Sequence, residues 1–481
     1  MEWKLDRSSH TPMYRQIIKY VEYRISNGEY PPGSLLPSER ALAKELGVNR
    51  STVVTAYEEL RASGLVTSKK GSGTRVGLFG QEAGYNQLPD WDQYVIGGSL
   101  LPNVPLMRRI FKEARNEKVM DLATGELSPD LFPRAQVEER MRTAHFTFQS
   151  GYEHQQGNLQ LRETIASQLK RDRNIDTASS SVLITSGAQQ ALYLIIQCLL
   201  KPGDTVVIED PSYCYSLPLF KSMGIKTCLL TADKHGINPD DIVMFHQKNK
   251  IRMIFLNPTF QNPTGISLHP KRRKKLLEIA VEYGIPIIED DPYTLTAFDT
   301  EAPPTLKSMD DYGVVLYISS LSKIVSSGLR IGWMVGPQPV ISRLADVKQQ
   351  IDFGQSIFSQ WMANEVLTSP NFDEHIQELG LTLHRRRDVM IQALAKYLPN
   401  EVEFSVPKGG IHLWCKLKKH VSEGRLLEQA IENGMIFMPG SALGSTEGYV
   451  RFTFGRTDEM YIEEAIARFA RALLCNGIDN V

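Results

Sequence analysis

The sequence predicts an α/β protein built from a small N-terminal winged helix-turn-helix and a larger domain around a mostly parallel sheet. Between residues 13 and 63, three amphipathic helical patterns are separated by short turns, and a basic, glycine-bearing hairpin pattern follows at residues 66–76. From residue 119 onward, short apolar runs rich in β-branched residues alternate with helical patterns. That alternation is typical of a parallel sheet with helices on both faces.

Length and charge set the broad class of the protein. A chain of 481 residues exceeds what one compact core can hold, so we expect two or three domains. The 54 Lys and Arg residues against 55 Asp and Glu give a net charge of -1, which marks neither a nucleic-acid binder nor a membrane binder. Residues 1–77 contain 12 basic and 8 acidic residues and form the only basic segment. Any DNA contact is therefore expected there.

Cysteine usage and apolar runs indicate the compartment. The five cysteines are irregularly spaced and include no C-x-x-C pair, so we expect reduced thiols, no disulfide and no metal site. The N-terminus lacks the apolar core of a signal peptide, and no apolar run approaches the roughly eighteen residues of a membrane helix. We expect a soluble, cytoplasmic protein without a membrane partner.

The first 63 residues show the spacing of a helix-turn-helix. One helical pattern begins near Met13 and ends near Gly28. Ser38, which follows Pro37, can cap a second helix through its hydroxyl group. Gly47 then makes the turn into a third helix over residues 49–63.

Polar residues cluster at the start of the third helix, where a recognition helix contacts DNA. They are Arg50, Ser51 and Thr52. The hairpin at residues 69–76 adds lysines and glycines, and glycine lets a backbone approach a sugar-phosphate chain closely. A three-helix domain that only docks on the rest of the chain is the alternative, but the basic charge, the turn and the hairpin together favour DNA binding.

The domain boundaries follow from periodicity. We predict a winged helix-turn-helix at residues 1–76, a linker at 77–118, and a large domain at 119–481 with a small subdomain from about residue 345. The linker is interrupted repeatedly by Gly and Pro, yet Trp91 and Leu100 are apolar enough to dock on a surface. We therefore expect a partly ordered arm that is long enough to reach a neighbouring subunit.

Lys323 stands among hydroxyl groups just after a buried strand pattern at residues 314–318. Ser320, Ser322 and Arg330 surround it in sequence and can hold an anion. A lysine at the mouth of a buried sheet can form a Schiff base with an aldehyde cofactor. Taken alone, such a lysine is more often a solvated loop residue.

Other strand ends in the large domain carry matching chemistry. The strand pattern at 182–185 runs into a helix start, whose free backbone N–H groups bind anions; this start comprises Ser186, Gly187, Ala188 and Gln189. Asp290 can pair with a protonated pyridine nitrogen, Tyr293 and Asn262 can reach a phenolic oxygen, and Tyr213 offers a ring for stacking. Each of these also has an ordinary structural interpretation as a turn, loop or core residue.

Two stretches of the chain resemble known families. The sequence motifs at residues 36–43, 49–53 and 71–76 resemble those of the winged-helix domain of the GntR family of bacterial transcription regulators. That resemblance implies an operator in double-stranded DNA, contacted mainly by Arg40 and Arg50, with Gly73 and Thr74 in the wing. The ordered series from Ser186 to Arg451 resembles the fold type I pyridoxal-phosphate aminotransferases, in the branch that includes aminoadipate and kynurenine aminotransferases.

The second resemblance implies pyridoxal 5'-phosphate as cofactor and a role for each residue. Lys323 is implied to form the internal aldimine, Asp290 to pair with the pyridine nitrogen, and Arg451 to grip a substrate carboxylate. Phosphate is implied to be held by the Ala188 and Gln189 amides, Ser320, Ser322 and Arg330. Tyr152 aligns with a tyrosine that reaches the other subunit's phosphate, although the residues after it depart from the commonest version.

The two parts in this order resemble the MocR group of GntR-type regulators. The resemblance implies a homodimer, head-to-tail, in which an aldimine at Lys323 senses an amino acid, an amine or pyridoxal phosphate and the winged helix acts on DNA. One alternative is an active aminotransferase that carries a DNA-binding module, with a transamination half-reaction as the least it retains. Another is a sensor of the cofactor level alone.

Overall fold

A computed structural model describes residues 5–7, 9, 11–69, 73–77, 91–144, 146, 151–298, 301–444 and 446–475. The chain divides into two compact units, Met1–Ser99 and Leu100–Val481. Among the described residues, none of the helices is both long enough and apolar enough to cross a membrane.

The first unit is a helix-turn-helix followed by a two-stranded hairpin. Its elements are α1 Met13–Ser26, α2 Glu39–Leu46, α3 Arg50–Ala62, β1 Val66–Lys69, β2 Gly73–Val76 and α4 Trp91–Gly97. As predicted, Ser38 caps α2, because its side chain accepts the Ala41 N–H at 3.2 Å. The core is formed by residues at helical spacing from α1, α2 and α3: Ile17, Val21, Leu42, Val53, Ala56, Tyr57 and Leu60.

The hairpin is joined to the loop that precedes α2. Strands β1 and β2 pair antiparallel from Val66↔Val76 to Lys69↔Gly73, while the tip at residues 70–72 lies outside the described residues. The Leu36 N–H donates to the Thr74 carbonyl at 2.8 Å. Gly73 has a φ of +78°, and a Cβ there would lie 2.8 Å from Leu35 Cδ1, so only glycine fits. This arrangement confirms the predicted winged helix-turn-helix.

The second unit contains two main sheets and the helices that cover them. Its helices are α5 Pro105–Glu113, α6 Arg134–Thr143, α7 Leu159–Arg173, α8 Ala188–Leu199, α9 Leu219–Ser222, α10 Asp240–Asn249, α11 Pro270–Tyr283, α12 Gln338–Ile351, α13 Ile357–Leu367, α14 Phe372–Tyr397, α15 Glu423–Glu432 and α16 Glu459–Cys475. Its strands are β3 Met120–Asp121, β4 Val182–Thr185, β5 Thr205–Asp210, β6 Lys226–Asp233, β7 Gly236–Ile237, β8 Met253–Leu256, β9 Ile287–Asp290, β10 Val315–Ser320, β11 Gly332–Val335, β12 Val402–Phe404, β13 His412–Leu417, β14 Met435–Ile436, β15 Met438–Pro439 and β16 Tyr449–Thr453.

The larger sheet is mostly parallel, which confirms the predicted fold class. In the described part of the chain it has eight strands in the order β4-β11-β10-β9-β8-β5-β6-β7. Only β11, between β10 and β4, and the short β7 at the edge run antiparallel to their neighbours. The parallel strands β4, β5, β8, β9 and β10 therefore end at one edge of the sheet, where α/β proteins bind ligands.

A smaller antiparallel sheet carries the C-terminal part of the second unit. Its strand order is β12-β13-β16-β15, and α14 and α16 pack together beside it with a shared apolar core. The short strand β14 pairs in parallel with β3, in the register Met435↔Met120 and Ile436↔Asp121. This pairing fixes residues 120–126, which come early in the unit, beside the smaller sheet.

The segment predicted as a linker falls partly on residues 78–90, which lie outside the described residues. Its remainder contains α4 and α5. Helix α5 belongs to the second unit, because Ile110 is fully buried in that unit's core and Arg109 forms an ion pair with Glu428 at 2.9 Å. The boundaries at residues 76 and 118 remain predictions.

Candidate functional site

A cavity of about 230 Å³ lies at the carboxyl edge of the larger sheet. Predicted site residues make up most of its lining, namely Gly187, Ala188, Gln189, Tyr213, Asn262, Asp290, Tyr293, Ser320, Ser322, Lys323 and Arg330. Leu192, Leu217, Asn257 and Pro292 complete it. Ser186, Arg451 and Tyr152 do not line it. A larger cavity of about 790 Å³, beside α7 and α14, contains none of the predicted residues.

One end of the cavity is suited to an anion. Helix α8 begins directly after Gly187, so its first backbone N–H groups face this end without helical partners. The Arg330 guanidinium is held there because Nη2 donates to the Ser186 carbonyl at 2.8 Å and Nη1 to the Ser327 carbonyl at 3.0 Å. Gly187 has a φ of +80°, and a Cβ at this position would lie 2.7 Å from Arg330 Nη2. The glycine thus lets the guanidinium approach the helix start.

Lys323 stands at the centre of the cavity in a short helical turn after β10. Its Nζ donates a hydrogen bond to the Gly125 carbonyl. Burial lowers the pKa of Lys323 to about 8, and the positive charges of Arg451 and Arg330 act in the same direction against Glu126 and Asp290. The amine is therefore partly neutral near physiological pH, which is the form that attacks an aldehyde.

Asp290 ends β9 and has one free oxygen. Its Oδ2 accepts a hydrogen bond from the Tyr213 hydroxyl. Its Oδ1 is buried and has no hydrogen-bond partner within the described residues. Burial raises the pKa of Asp290 to about 6, while the hydrogen bond from Tyr213 opposes that shift. A buried acceptor without a partner costs free energy, so this oxygen is suited to a donor supplied by a ligand.

Arg451 on β16 reaches the same region from the smaller sheet. Its Nη1 donates to Asn262 Oδ1 at 2.9 Å, and its Nη2 donates to the Ala123 carbonyl. The side chain is buried, and Nε has no partner within the described residues. Burial lowers the pKa of Arg451 to about 10, yet the group stays charged at neutral pH. A buried guanidinium that binds only neutral oxygens is suited to a carboxylate ligand.

Three residues of the site were missed by sequence reasoning. Asn257 follows β8, donates to the Asp290 carbonyl at 2.8 Å and accepts the Asn262 N–H at 2.7 Å. Its position after an apolar run was the signal that could have found it. His412 contacts Tyr293 through a pairing that is distant in sequence, and Gly125 contributes only its backbone carbonyl to Lys323. Neither residue shows a signal in the local sequence.

Tyr152 lies away from the cavity of its own chain. Its side chain is 85% exposed, and its ring lies 5.6 Å from that of Phe353. Phe353 and Phe358 are also exposed, and Phe358 packs against Phe146 and Trp361. Tyr152 and Phe353 thus form an exposed aromatic patch on the second unit. The predicted role of Tyr152 at a partner's phosphate remains a prediction.

The predicted DNA-contacting residues lie at the starts of α2 and α3 and on β2 of the first unit. Asn49 caps α3 by accepting the Ser51 N–H at 3.4 Å. Arg50 is exposed at the start of α3 and pairs with Glu39, its Nη2 lying 2.8 Å from Oε2. Arg40, next to Glu39, is also exposed. The start of α2 and the start of α3 are thus adjacent. Gly73 and Thr74 lie on β2 of the hairpin.

The fold and the site define an aminotransferase-like α/β unit preceded by a winged helix. Residues 117–469 match the family described as aminotransferase class I and II, and residues 13–76 match that described as bacterial regulatory proteins, gntR family. The chain therefore belongs to the aminotransferase class I and II family, in the group of HTH-type transcriptional regulators that begin with a GntR-type segment. This confirms the predicted resemblance to the MocR group.

Individual relatives agree along nearly the whole chain. The chain is 41% identical over 446 residues to the HTH-type transcriptional regulator YdfD of Bacillus subtilis strain 168, covering 92% of each protein. It is 30% identical to the HTH-type transcriptional regulator NorG of Staphylococcus aureus strain USA300, over 90% of this chain and 97% of that protein. A solved structure of kynurenine aminotransferase from Pyrococcus horikoshii, in complex with PMP, is 31% identical with a TM-score of 0.73, over 78% of this chain and 96% of that chain.

Replacing Gly187 by alanine is expected to weaken binding of pyridoxal 5'-phosphate by roughly tenfold or more, because charged hydrogen bonds are worth about 1.5–3 kcal/mol. The new Cβ would displace Arg330 from the anion end of the cavity. Gly284→Ala is the matched control, since its φ is +65° but no atom lies within 4 Å of the new Cβ. Fluorescence titration with the cofactor measures both. Equal dissociation constants for the two variants would contradict this account.

The pKa of Lys323 predicts how cofactor capture depends on pH. Because only the neutral amine attacks an aldehyde, the rate should rise roughly tenfold between pH 7 and pH 9 and then level off. An unperturbed lysine would instead give a rise of roughly a hundredfold over that interval and no plateau below about pH 10. Stopped-flow absorbance with pyridoxal 5'-phosphate measures the rate. Continued acceleration up to pH 10 would show that burial does not lower the pKa.

Proposed function

We propose that this protein is a pyridoxal-phosphate-dependent, DNA-binding transcription regulator whose second unit senses an amino acid or another amine. The carrying observation is that one chain joins a winged helix, with polar residues exposed at the starts of α2 and α3, to a cavity that is lined by the amine-bearing Lys323. Relatives named as transcriptional regulators, matched over about nine-tenths of the chain, support it. The cofactor itself is the alternative effector.

The cavity fits pyridoxal 5'-phosphate on two observations. Asp290 Oδ1 is a buried acceptor without a partner in the described part of the chain, as a protonated pyridine nitrogen requires. At the other end, Gly187 leaves room for Arg330 beside the free N–H groups of α8, which together suit a phosphate. When bound, this cofactor supplies an aldehyde and an electron-withdrawing ring.

The residues of the cavity then have separate tasks. Lys323 supplies the amine that holds the aldehyde, and Asp290 holds the proton on the ring nitrogen. Asn262 and Tyr293 bind the phenolic oxygen, and Tyr213 holds Asp290 while its ring stacks on the cofactor. The phosphate group is bound by the helix start and nearby polar side chains, which are Ser186, Gly187, Ala188, Gln189, Ser320, Ser322 and Arg330.

Arg451 selects effectors that carry a carboxylate. It is buried beside Asn262 and has an unpartnered Nε in the described structure, so a planar carboxylate gains a charged, two-point contact there. The effector's amine would meet the aldehyde at Lys323 while its carboxylate meets Arg451. An effector shifts a conformational equilibrium only by its difference in affinity for the two states, so these contacts must differ between them.

The aromatic patch around Tyr152 supports a homodimer. Exposed aromatic clusters of this kind are typical of protein interfaces. In the proposed head-to-tail dimer, Tyr152 reaches the phosphate end of the partner's cavity. Two winged helices then address two half-sites in double-stranded DNA, at a spacing that the dimer sets. Because a DNA-binding regulator must be in the same compartment as its DNA, we propose a cytoplasmic location.

In DNA binding, Arg40, Arg50, Ser51 and Thr52 contact the operator, and Gly73 and Thr74 bring the wing to the backbone. In the Arg50–Glu39 pair, Arg50 is exposed and Glu39 is half-buried, so water partly screens the pair and Arg50 can exchange Glu39 for a base or a phosphate at modest cost. Among the described residues, no cluster of three or more His, Cys, Asp or Glu side chains could hold a metal ion, and we assign no metal to this function.

An active aminotransferase that carries a DNA-binding module is the second candidate. The observation that favours it is a cavity lined by the predicted cofactor-binding residues, with Arg451 bonded to one of them, Asn262, together with a solved neighbour named as an aminotransferase. Repeated turnover with an amino donor and a keto acceptor would support an enzyme. A single half-reaction per cofactor, accompanied by a change in DNA affinity, would support a regulator.

Lys323→Ala is expected to abolish effector sensing while leaving basal DNA binding within about threefold, because Lys323 lies in a different unit from the DNA-contacting residues. The assay is fluorescence anisotropy with a duplex selected by the wild-type protein from a random library, with and without a panel of amino acids and amines. Lys201→Ala, at an exposed position, is the control. If Lys323→Ala responds to the same compounds as the wild type, sensing does not use this lysine.

Arg50→Ala is expected to weaken binding to the selected duplex by roughly tenfold or more, since a base or phosphate contact of arginine is worth about 1–3 kcal/mol. Arg61→Ala is the matched control, because this substitution also removes one positive charge from α3, but from its last turn. Its effect should stay within about threefold. Equal losses for both variants would mean that only net charge matters, and would remove Arg50 from the recognition surface.

A further inference from the structure

His412 is a buried titratable residue to which the proposed function assigns no task. It lies on β13 and is 1% exposed. Its Nε2 lies 3.1 Å from the Tyr293 hydroxyl, and its Nδ1 lies 3.1 Å from Thr453 Oγ1. Tyr293 follows β9 of the larger sheet, whereas Thr453 ends β16 of the smaller one. His412 thus connects the two sheets through Nε2, while Nδ1 makes a contact within the smaller sheet.

The imidazole of His412 is neutral. Burial lowers its pKa well below the usual range, and the positive charges of Arg451 on β16 and Lys323 after β10 lower it further. A neutral imidazole has one donor nitrogen and one acceptor nitrogen. His412 therefore acts through the direction of its two hydrogen bonds and not through a charge. It also flanks Lys323, because a Cβ on Gly125 would lie 3.5 Å from His412 Cε1 and 4.0 Å from Lys323 Nζ.

The direction of these hydrogen bonds follows from the last acceptor in the series, which is the phenolic oxygen of the cofactor. The ionised phenolic oxygen of a bound cofactor can only accept hydrogen bonds, so the Tyr293 hydroxyl must donate its single proton to that oxygen. The Tyr293 oxygen can then only accept from His412, which requires the proton on Nε2. His412 Nδ1 is left as an acceptor for the Thr453 hydroxyl.

We propose that His412 is a positioning residue that donates Nε2–H to Tyr293 and so aims the Tyr293 proton at the cofactor's phenolic oxygen. The proposal rests on the proposed binding of pyridoxal phosphate in this cavity. Thr453, His412 and Tyr293 form one directional chain of hydrogen bonds, and successive bonds of this kind polarise and strengthen each other. A stronger bond from Tyr293 favours negative charge on the phenolic oxygen. The nitrogen that links Lys323 to the cofactor then loses its proton at a lower pH.

The test is a pH titration of the visible absorbance of the cofactor-loaded full-length protein. His412→Phe should move the midpoint upward by roughly half a pH unit, and Thr453→Val should move it in the same direction by less. His412→Gln keeps an N–H near the position of Nε2 and should restore most of the wild-type value. Tyr293→Phe should give the largest upward shift.

The double variant separates a positioning role from a structural one. Because His412 acts only through Tyr293, His412→Phe should add no shift to Tyr293→Phe. The same shift in both backgrounds, or no shift in either, would overturn the proposal. Thr453→Val in the Tyr293→Phe background repeats this comparison should His412→Phe not fold.

A second readout does not use the absorbance. Nitrogen-15 spectra of histidine-labelled protein, assigned with His412→Gln, should show the Nε2–H tautomer of His412 when the cofactor is bound. The Nδ1–H tautomer would overturn the proposal. A wild-type protein without a visible cofactor band would instead refute the proposed function, so the two failures are distinguishable.

Discussion

The burial of three ionisable groups at one site, two in the cavity and Arg451 beside it, is the constraint on which the site depends. Away from water the charged form of each group is disfavoured, which brings the pKa of Lys323 to about 8, of Arg451 to about 10 and of Asp290 to about 6. The site thus contains a partly neutral amine, a cation bonded only to neutral oxygens and a carboxylate with a free oxygen. These groups are suited to three kinds of partner: an aldehyde for Lys323, an anion for Arg451 and an N–H donor for Asp290.

The parallel sheet makes that concentration of polar groups possible. Strands β4, β8, β9 and β10 end at one edge, so a helix start, Asn257, Asp290 and Lys323 meet although they are far apart in sequence. The smaller sheet adds Arg451 and His412 from the opposite side. Its contacts at Asn262 and Tyr293 cross from one sheet to the other. A ligand that engages Arg451 therefore acts on the junction between the sheets, which is where a sensor needs to respond.

Strand ends were the predictable part of this site. Asp290, Lys323 and the Ser186–Gln189 stretch each follow an apolar run, and a strand end combined with a polar residue is visible in a local window. The winged helix was predictable for a similar reason, since its caps, turns and apolar spacing are all local. Tyr213 was expected to stack on a ring, and the structure adds its hydrogen bond to Asp290. Gly125 was not predictable, because it contributes only a backbone carbonyl and every residue type has one.

The sequence by itself predicted the winged helix-turn-helix, the parallel sheet and a lysine at the end of a buried strand, because periodicity and strand-end chemistry are properties of short segments. Tertiary structure decided which groups remain unpartnered and which are bonded. Asp290 Oδ1 and Arg451 Nε are free within the described structure, whereas His412 bonds Tyr293 and Thr453 from a position whose sequence neighbours suggest only a buried strand. These outcomes depend on packing between segments that are distant in sequence, since 119 residues separate His412 from Tyr293 and 41 separate it from Thr453. No local pattern encodes the partner that such packing supplies.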